Sequence, residues 1–201
     1  MATTTASNAA AKKDADTIAA KFSGVKRTEF REELTLTLAR EQFRDVAKFC
    51  RELGYDYLID ISSVDHMGQE PRYEMVYELQ SLAHVGHLRL KYTVSEDDAT
   101  APSVVDLWAT ADWHEREVFD MMGIGFPAHP DVKEVGHLRR ILMWDGYPFH
   151  PLQKDFPLAG RASDMPDVAF SNAAPLAGGP FVTSPSTADT QAREPRSREM
   201  E

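Results

Sequence analysis

The stretch RYEMVYELQSLAHVGHLRLKYTVS, residues Arg72–Ser95, decides the fold of this chain. Apolar residues alternate with polar ones on both sides of a short break that contains Gly86. A period of two is typical of half-buried β-strands, and glycine in a short break favours a hairpin loop. The alternating residues are Tyr73, Met75, Tyr77 and Leu79 before the break and Leu88, Leu90, Tyr92 and Val94 after it. The stretch therefore predicts an antiparallel hairpin with one apolar face and one wet face.

Segments before this hairpin extend the sheet and add a helix. In EELTLTL, Leu34, Leu36 and Leu38 alternate with polar residues, and YDYLIDISSV from Tyr55 predicts a further strand. Between them, the apolar residues from Glu41 to Leu53 recur at helical spacing. The chain is therefore predicted to have an α+β fold, in which a small, mainly antiparallel sheet with packed helices is followed by an extended C-terminal arm.

The composition divides the chain into four regions. Residues 1–12 are small and polar and are predicted to be a disordered lead-in. Residues 13–125 are predicted to form the α+β domain. Residues 126–160, rich in proline, glycine and histidine, are predicted to be an extended arm, and residues 161–201 a flexible low-complexity tail.

Charge and cysteine content exclude several classes of function. The formal net charge is -10, which argues against binding to nucleic acid or an anionic lipid surface. The sequence contains no apolar run of the roughly 20 residues that a membrane helix needs. Cys50 is the single cysteine, so the chain alone cannot form a disulfide or hold an iron–sulfur cluster through cysteines. The N-terminal residues lack the apolar core of a signal peptide, which favours a cytoplasmic protein.

A second stretch, DWHEREVFDMM from Asp112 to Met122, combines charged and aromatic residues and predicts a helix that ends at Gly123. A hydrolytic metal site is one interpretation, because five candidate ligands lie in this region: His114, Glu115, His129, His137 and His150. However, Val118 stands where a metalloprotease helix carries its second histidine.

General acid/base catalysis by this helix is a second interpretation. Glu115 and Glu117 point about 200° apart on a helix, so they do not share one small site. Arg116 and Asp120 lie one turn apart and can pair. The mixture of aromatic residues, methionine and arginine is more typical of a surface on which another protein docks.

Three motifs in order, DWHEREVFDMMGIGF, LRRILM and HPLQKDFPL, resemble the C-type, or thirty-kilodalton, subunit of respiratory complex I, the proton-pumping NADH:quinone oxidoreductase. The family pattern also contains a His-Pro between the first two motifs. Here DVKEVGH separates Pro130 from Leu138, so either His129 or His137 is the equivalent histidine.

This resemblance implies a peripheral-arm subunit without a cofactor of its own, which supports assembly and electron transfer from NADH to quinone coupled to proton translocation. It implies no catalytic, cofactor-binding or metal-binding residues in this chain, since FMN, iron–sulfur clusters and quinone belong to partner subunits. The expected chief partner is the D-type, or forty-nine-kilodalton, subunit. We expect no nucleic acid, and contact with the membrane only through the complex, on the cytoplasmic side of the bacterial inner membrane.

The resemblance also suggests which residues touch other subunits. The arm of residues 126–160 is expected to lie on a neighbouring subunit. For each charged candidate, an intramolecular salt bridge is the alternative. Two alternative functions are considered. The chain could be the equivalent subunit of a membrane-bound hydrogenase or formate hydrogenlyase-type complex, or a free-standing metal-dependent hydrolase. The interface candidates are Glu115, Arg116, Glu117, Asp120, Arg139, Arg140, Lys154 and Asp155.

Overall fold

The computed structural model describes residues 2–157 of the chain. The chain forms two compact units that divide between Met143 and Trp144. The helices and strands of the first unit are α1 (Ala2–Lys21), β1 (Lys26–Phe30), β2 (Glu33–Thr37), α2 (Arg40–Glu52), β3 (Tyr57–Asp65), β4 (Tyr73–Gln80), β5 (His87–Val94), α3 (Ala111–Met122) and α4 (Pro130–Glu134).

The five strands form one sheet in the order β1-β2-β5-β4-β3. Every neighbouring pair is antiparallel except β2 and β5, which run parallel. The predicted hairpin is the pair β4 and β5, in which Tyr77 lies opposite Leu90. The predicted α+β class, with a mainly antiparallel sheet, is therefore confirmed.

The core lies on one face of this sheet, under α1 and α2. Phe43 of α2 packs with its ring centroid 4.3 Å from that of Tyr77 and 4.7 Å from that of Tyr92. The two tyrosine hydroxyls lie 3.0 Å apart, so each buried phenol has a hydrogen-bond partner. The opposite face carries charged pairs, such as Lys91 with Glu74 at 3.0 Å. This division is the predicted contrast of one apolar and one wet face.

The structure differs from the predicted disordered lead-in over residues 1–12, because α1 begins at Ala2. Ala11, Ala15 and Ile18 recur at helical spacing and are buried in the core. Alanine has the highest helix propensity, and its small side chain lets a helix lie close to a sheet. The small, weakly hydrophobic residues were therefore a misleading signal of disorder.

The predicted domain boundary at residues 125 and 126 also differs from the structure. The first unit continues to Met143, and Phe126 and Leu138 are buried in its core. Residues 126–143 contain α4, so the first half of the predicted extended arm folds as part of the first unit. The predicted tail, residues 161–201, lies outside the described residues. None of the helices within residues 2–157 is long and apolar enough to cross a membrane.

The described part of the second unit, residues 144–157, is a series of turns held by aromatic contacts. Trp144 packs against Tyr147 with ring centroids 4.5 Å apart, and Tyr147 packs edge-on against Phe149 at 5.6 Å. Phe149 in turn lies 6.2 Å from Phe156. The proline-rich sequence therefore forms a local aromatic cluster rather than a regular helix or strand.

Candidate functional site

Helix α3 presents different faces to its surroundings. Ala111, Glu115, Val118 and Met122 are buried and share the face that points into the core. Trp113 and Glu117, one turn apart, share the exposed face. The helix ends at Gly123, whose φ of 79° is the left-handed conformation that glycine adopts without steric cost.

Asp120 holds the segment that follows α4 against this helix. Its carboxylate is fully buried, and Oδ1 accepts a hydrogen bond from Nη1 of Arg140 at 2.5 Å. Oδ2 accepts hydrogen bonds from three successive backbone N–H groups, those of Ile141 at 3.0 Å, Leu142 at 2.7 Å and Met143 at 2.9 Å. Burial opposes ionisation, but these donors outweigh it and lower the pKa of Asp120 below its usual value.

Asp131 is a second buried carboxylate, and it pairs with two arginines. Its Oδ1 and Oδ2 accept hydrogen bonds from Nη2 and Nε of Arg139 at 2.6 and 3.0 Å, which lowers the pKa of this carboxyl. Nε of Arg116 lies 3.5 Å from Oδ2 of Asp131. Arg116 also donates to the backbone carbonyls of Arg139 and Arg140 at 3.1 and 3.4 Å. These contacts hold the Arg116 side chain in one position and attach residues 139 and 140 to α3.

Glu115 differs from these two carboxylates because the described hydrogen bonds and ion pairs give it no cationic partner. It is fully buried, and Oε1 accepts a hydrogen bond from the backbone N–H of Val104 at 2.7 Å. Burial, followed in smaller measure by the negative charges of Asp112 and Asp106, raises the pKa of Glu115 to about 7. The hydrogen bond from Val104 opposes this shift without cancelling it.

Four of the predicted interface residues lie mainly inside this chain, and their contact with another subunit stays a prediction. Glu115, Arg116 and Asp120 are buried, and the side chain of Arg140 is only 10% exposed. Arg116, Arg140 and Asp120 form ion pairs within this chain, as the alternative interpretation of these residues predicts. Arg116 forms its ion pair with Asp131, and Asp120 forms its own with Arg140 from the segment after α4.

The other four candidates reach the surface. Glu117 is exposed on α3, and the side chain of Arg139 is 52% exposed although it pairs with Asp131. Lys154 and Asp155 are exposed in the second unit. Contact of these four residues with other subunits remains a prediction.

Two further exposed residues, one in α3 and one in the segment after α4, are not in the predicted set. Trp113 is 62% exposed, and the guanidinium carbon of Arg116 lies 5.0 Å from its ring centroid, within the range of a cation–π contact. Leu142 is 61% exposed, and its backbone N–H is bound by Asp120. The spacing of Trp113 and Glu117 could have indicated a shared face, but no local pattern shows that this face stays uncovered.

One group of described residues has the composition of a metal site: Asp112, His129 and Asp131. Nδ1 of His129 accepts a hydrogen bond from the backbone N–H of Asp131 at 3.0 Å, so the ring proton of a neutral histidine lies on Nε2. Nε2 faces Oδ1 of Asp112 at 3.2 Å, and Asp131 is already paired with two arginines. In this structure the group forms the N-terminal cap of α4 and an ion-pair cluster.

Two curated relatives are similar in sequence to this chain. The C-type subunit of NADH-quinone oxidoreductase from Geobacter sulfurreducens is 46% identical over 134 residues, which cover 66% of this chain and 79% of the relative. The protein of the same name from Roseiflexus castenholzii is 43% identical over 147 residues, which cover 72% of this chain and 78% of the relative.

Two solved structures have a similar fold. The trypsin-resistant fragment (1–134) of Nqo5 is 30% identical, with a TM-score of 0.56, and the match covers 61% of this chain and 98% of the fragment. A chain of the archaeal membrane-bound sulfane sulfur reductase is 24% identical, with a TM-score of 0.64, over 73% of this chain and 85% of that chain. The second likeness shows the fold alone.

The family model of the respiratory-chain NADH dehydrogenase 30 kDa subunit matches residues 36–162, a range that contains β3 to β5, α3 and the segment bound by Asp120. This chain belongs to the family of 30 kDa subunits of respiratory-chain NADH dehydrogenase.

Proposed function

We propose that this chain is a peripheral-arm subunit of NADH-quinone oxidoreductase that supports assembly and electron transfer from NADH to quinone, coupled to proton translocation. The family match over residues 36–162 carries the proposal, together with relatives named as the C-type subunit of that enzyme. The names of the curated relatives favour a quinone reductase over the equivalent subunit of a hydrogenase complex.

The redox chemistry, in this proposal, belongs to partner subunits that hold FMN, iron–sulfur clusters and quinone. The single thiol supports this division. Cys50 is fully buried on the core face of α2, and burial raises its pKa well above the usual range. A thiol must ionise to ligate a metal or to act as a nucleophile, so Cys50 is suited to packing. We likewise propose that this chain supplies no catalytic residue.

The chief partner, in this proposal, is the D-type, or forty-nine-kilodalton, subunit, and the complex lies on the cytoplasmic side of the bacterial inner membrane. We place the contact on the α3 contact surface, which we define as Trp113, Glu117, Arg139 and Leu142. All four side chains are exposed, and their positions are set by α3 and by the segment that Asp120 and Arg116 bind to it. A surface that is already rigid loses little conformational entropy when a partner binds.

Trp113 is the residue of this surface from which we expect most of the binding energy. Its ring lies against Arg116, and Arg116 is held in turn by two carbonyls and by Asp131. Tryptophan and arginine are the residue types that most often dominate protein interfaces, where truncation of one anchor costs about 2 kcal/mol or more. A loss of about 2 kcal/mol weakens binding by about thirtyfold.

Replacing Trp113 by alanine in cells that have no other copy of this subunit tests the proposal. We expect the variant chain to accumulate while the amount of assembled complex and the NADH:quinone activity of the membranes fall together. Blue native electrophoresis, in-gel NADH dehydrogenase activity and co-purification of the D-type subunit provide the measurements.

The matched control is Phe30→Ala. Phe30 is 68% exposed, and Arg31 lies 5.2 Å from its ring centroid, so its environment resembles that of Trp113. It belongs to β1, at the opposite edge of the sheet from β3, on which α3 packs. We expect Phe30→Ala to assemble normally. Equal assembly of the two variants would contradict the placement of the contact on α3, whereas a purified chain that never recovers other subunits would contradict the proposed function.

A further inference from the structure

Residues 101–108, here called the 101–108 segment, lie in the connection between β5 and α3 and are held by contacts from two helices. From α2, Arg44 donates to the carbonyl of Ser103 and pairs with Oδ2 of Asp106 at 2.6 Å. From α3, Glu115 accepts the hydrogen bond from the N–H of Val104 at 2.7 Å. The segment leads directly into the first turn of α3, so its position and that of the helix are coupled.

The contact made by Glu115 is chemically unusual. The carboxyl is fully buried, and Oε2 has no hydrogen-bond partner among the described residues. A buried carboxylate normally has a cation or several donors, because transfer of an isolated charge out of water is costly. Glu115 has one backbone donor and the neighbouring Ser103 hydroxyl.

The charged and titratable groups around Glu115 favour its neutral form. Asp112 on its own helix and Asp106 in the 101–108 segment both add negative potential. The phenols of Tyr77 in β4 and Tyr92 in β5 face it from the sheet, and their pKa values are raised chiefly by burial, so both are neutral. Arg44 is the cation that packs on the same segment, and it is engaged by Asp106 and by the carbonyl of Ser103.

We propose that Glu115 and the 101–108 segment form a proton-controlled joint, which is closed while the Glu115 carboxyl is protonated and opens more readily once the carboxyl ionises. In the neutral form, Oε1 accepts from Val104 and no charge is buried. In the ionised form, opening of the segment admits water to a carboxylate that otherwise lacks a counter-charge. The joint belongs to this domain alone and requires no partner subunit.

The size of the effect follows from linkage between proton binding and opening. Burial raises the pKa of Glu115 from an ordinary value of 4.5 to about 7 in the closed state. A group whose folded-state pKa is raised in this way stabilises the closed state fully below the lower value and loses that contribution as the pH rises toward the higher one. If the open state has the ordinary value, the opening equilibrium constant rises about tenfold between pH 6 and pH 8.

Amide hydrogen exchange of the purified full chain, followed by NMR and corrected for intrinsic exchange rates, measures this constant at Val104. We expect the tenfold rise at Val104 in the wild type and a flat profile at Val104 in Glu115→Gln. Glu117→Gln, which changes an exposed carboxyl on the same helix, should keep the wild-type slope. A wild-type change of less than twofold at Val104, or an opening constant at Val104 no larger than that of the Tyr77 amide in β4, would overturn the proposal.

A second measurement keeps the test independent of whether Glu115→Gln folds. The ¹³C chemical shift of the Glu115 side-chain carboxyl in the wild-type chain reports its protonation directly. We expect a titration midpoint near pH 7. A midpoint below pH 5 would show that the carboxyl is ionised in the closed state, and the joint would then have no proton to lose near neutral pH.

Discussion

Replacement of Asp120 by asparagine should destabilise the first unit strongly, because this single carboxylate holds four donors. Asparagine keeps one carbonyl oxygen, which can face either the three backbone N–H groups on Oδ2 or the guanidinium on Oδ1. In either orientation the amide NH₂ group points at donors that previously met an oxygen. The change also removes the negative charge beside Arg140, whose side chain is 10% exposed.

The expected magnitude follows from the burial of both partners. Breaking a buried ion pair by neutralising one partner costs about 3–5 kcal/mol, and a single hydrogen bond to a charged group contributes about 1.5–3 kcal/mol. Since a domain is usually stable by about 5–15 kcal/mol, the loss is a large part of the total. We therefore expect Asp120→Asn to lower the free energy of unfolding by about 3–5 kcal/mol.

Urea unfolding at pH 7, followed by circular dichroism, measures this loss. Glu117→Gln is the matched control, because it neutralises an exposed carboxylate less than one turn away and should change the stability by less than about 0.5 kcal/mol. Limited trypsin digestion locates the effect, since release of the segment should speed cleavage after Arg140. A loss below about 1 kcal/mol, or unchanged cleavage, would refute the structural role assigned to Asp120.

The effect should also depend on pH in a defined direction. The donors around Asp120 lower its pKa below the usual 3.8, so the native state favours the ionised form. The stabilisation is therefore fully present above the unfolded-state value and disappears as the pH falls through the lowered folded-state value. We expect the difference in stability between the wild type and Asp120→Asn to be constant from pH 5 to pH 7 and to shrink below about pH 4.

Two further substitutions test the supports of α3 and of the hairpin. Gly123→Ala should lower the free energy of unfolding by about 1–2 kcal/mol, because an L-residue is strained at the observed φ of 79°; a shift in the thermal midpoint reports this, and an unchanged midpoint would contradict it. Arg72→Met should cost about 3–5 kcal/mol in urea unfolding, because Arg72 donates twice to Asp65, whose side chain is 1% exposed. Addition of Asp65→Asn should then recover part of that loss, and a fully additive double variant would argue against the pairing.

Local patterns predicted most of the sheet correctly. The alternation around Gly86 predicted β4 and β5, and the helical spacing from Glu41 to Leu53 predicted α2 within a residue at each end. These signals are reliable because a strand or an amphipathic helix sorts its side chains by a short period. The same reasoning gave no helix over residues 1–12, which α1 covers from Ala2, because a small buried side chain such as that of Ala11 adds too little apolar surface to register as hydrophobic.

The candidate site was only partly predictable. The sequence by itself determined that α3 exists, that Glu115 and Glu117 point to different sides of it, and that Gly123 ends it, because helix geometry is local. Only the tertiary structure decided that Asp120 pairs with Arg140 and that Glu115 is buried beside Val104. Such contacts join segments 11 to 20 residues apart, and their pairing depends on which face each segment covers after the sheet has formed. A charged residue in a helix therefore looks the same in the sequence whether solvent or another part of the chain surrounds it, and burial alone distinguishes the two.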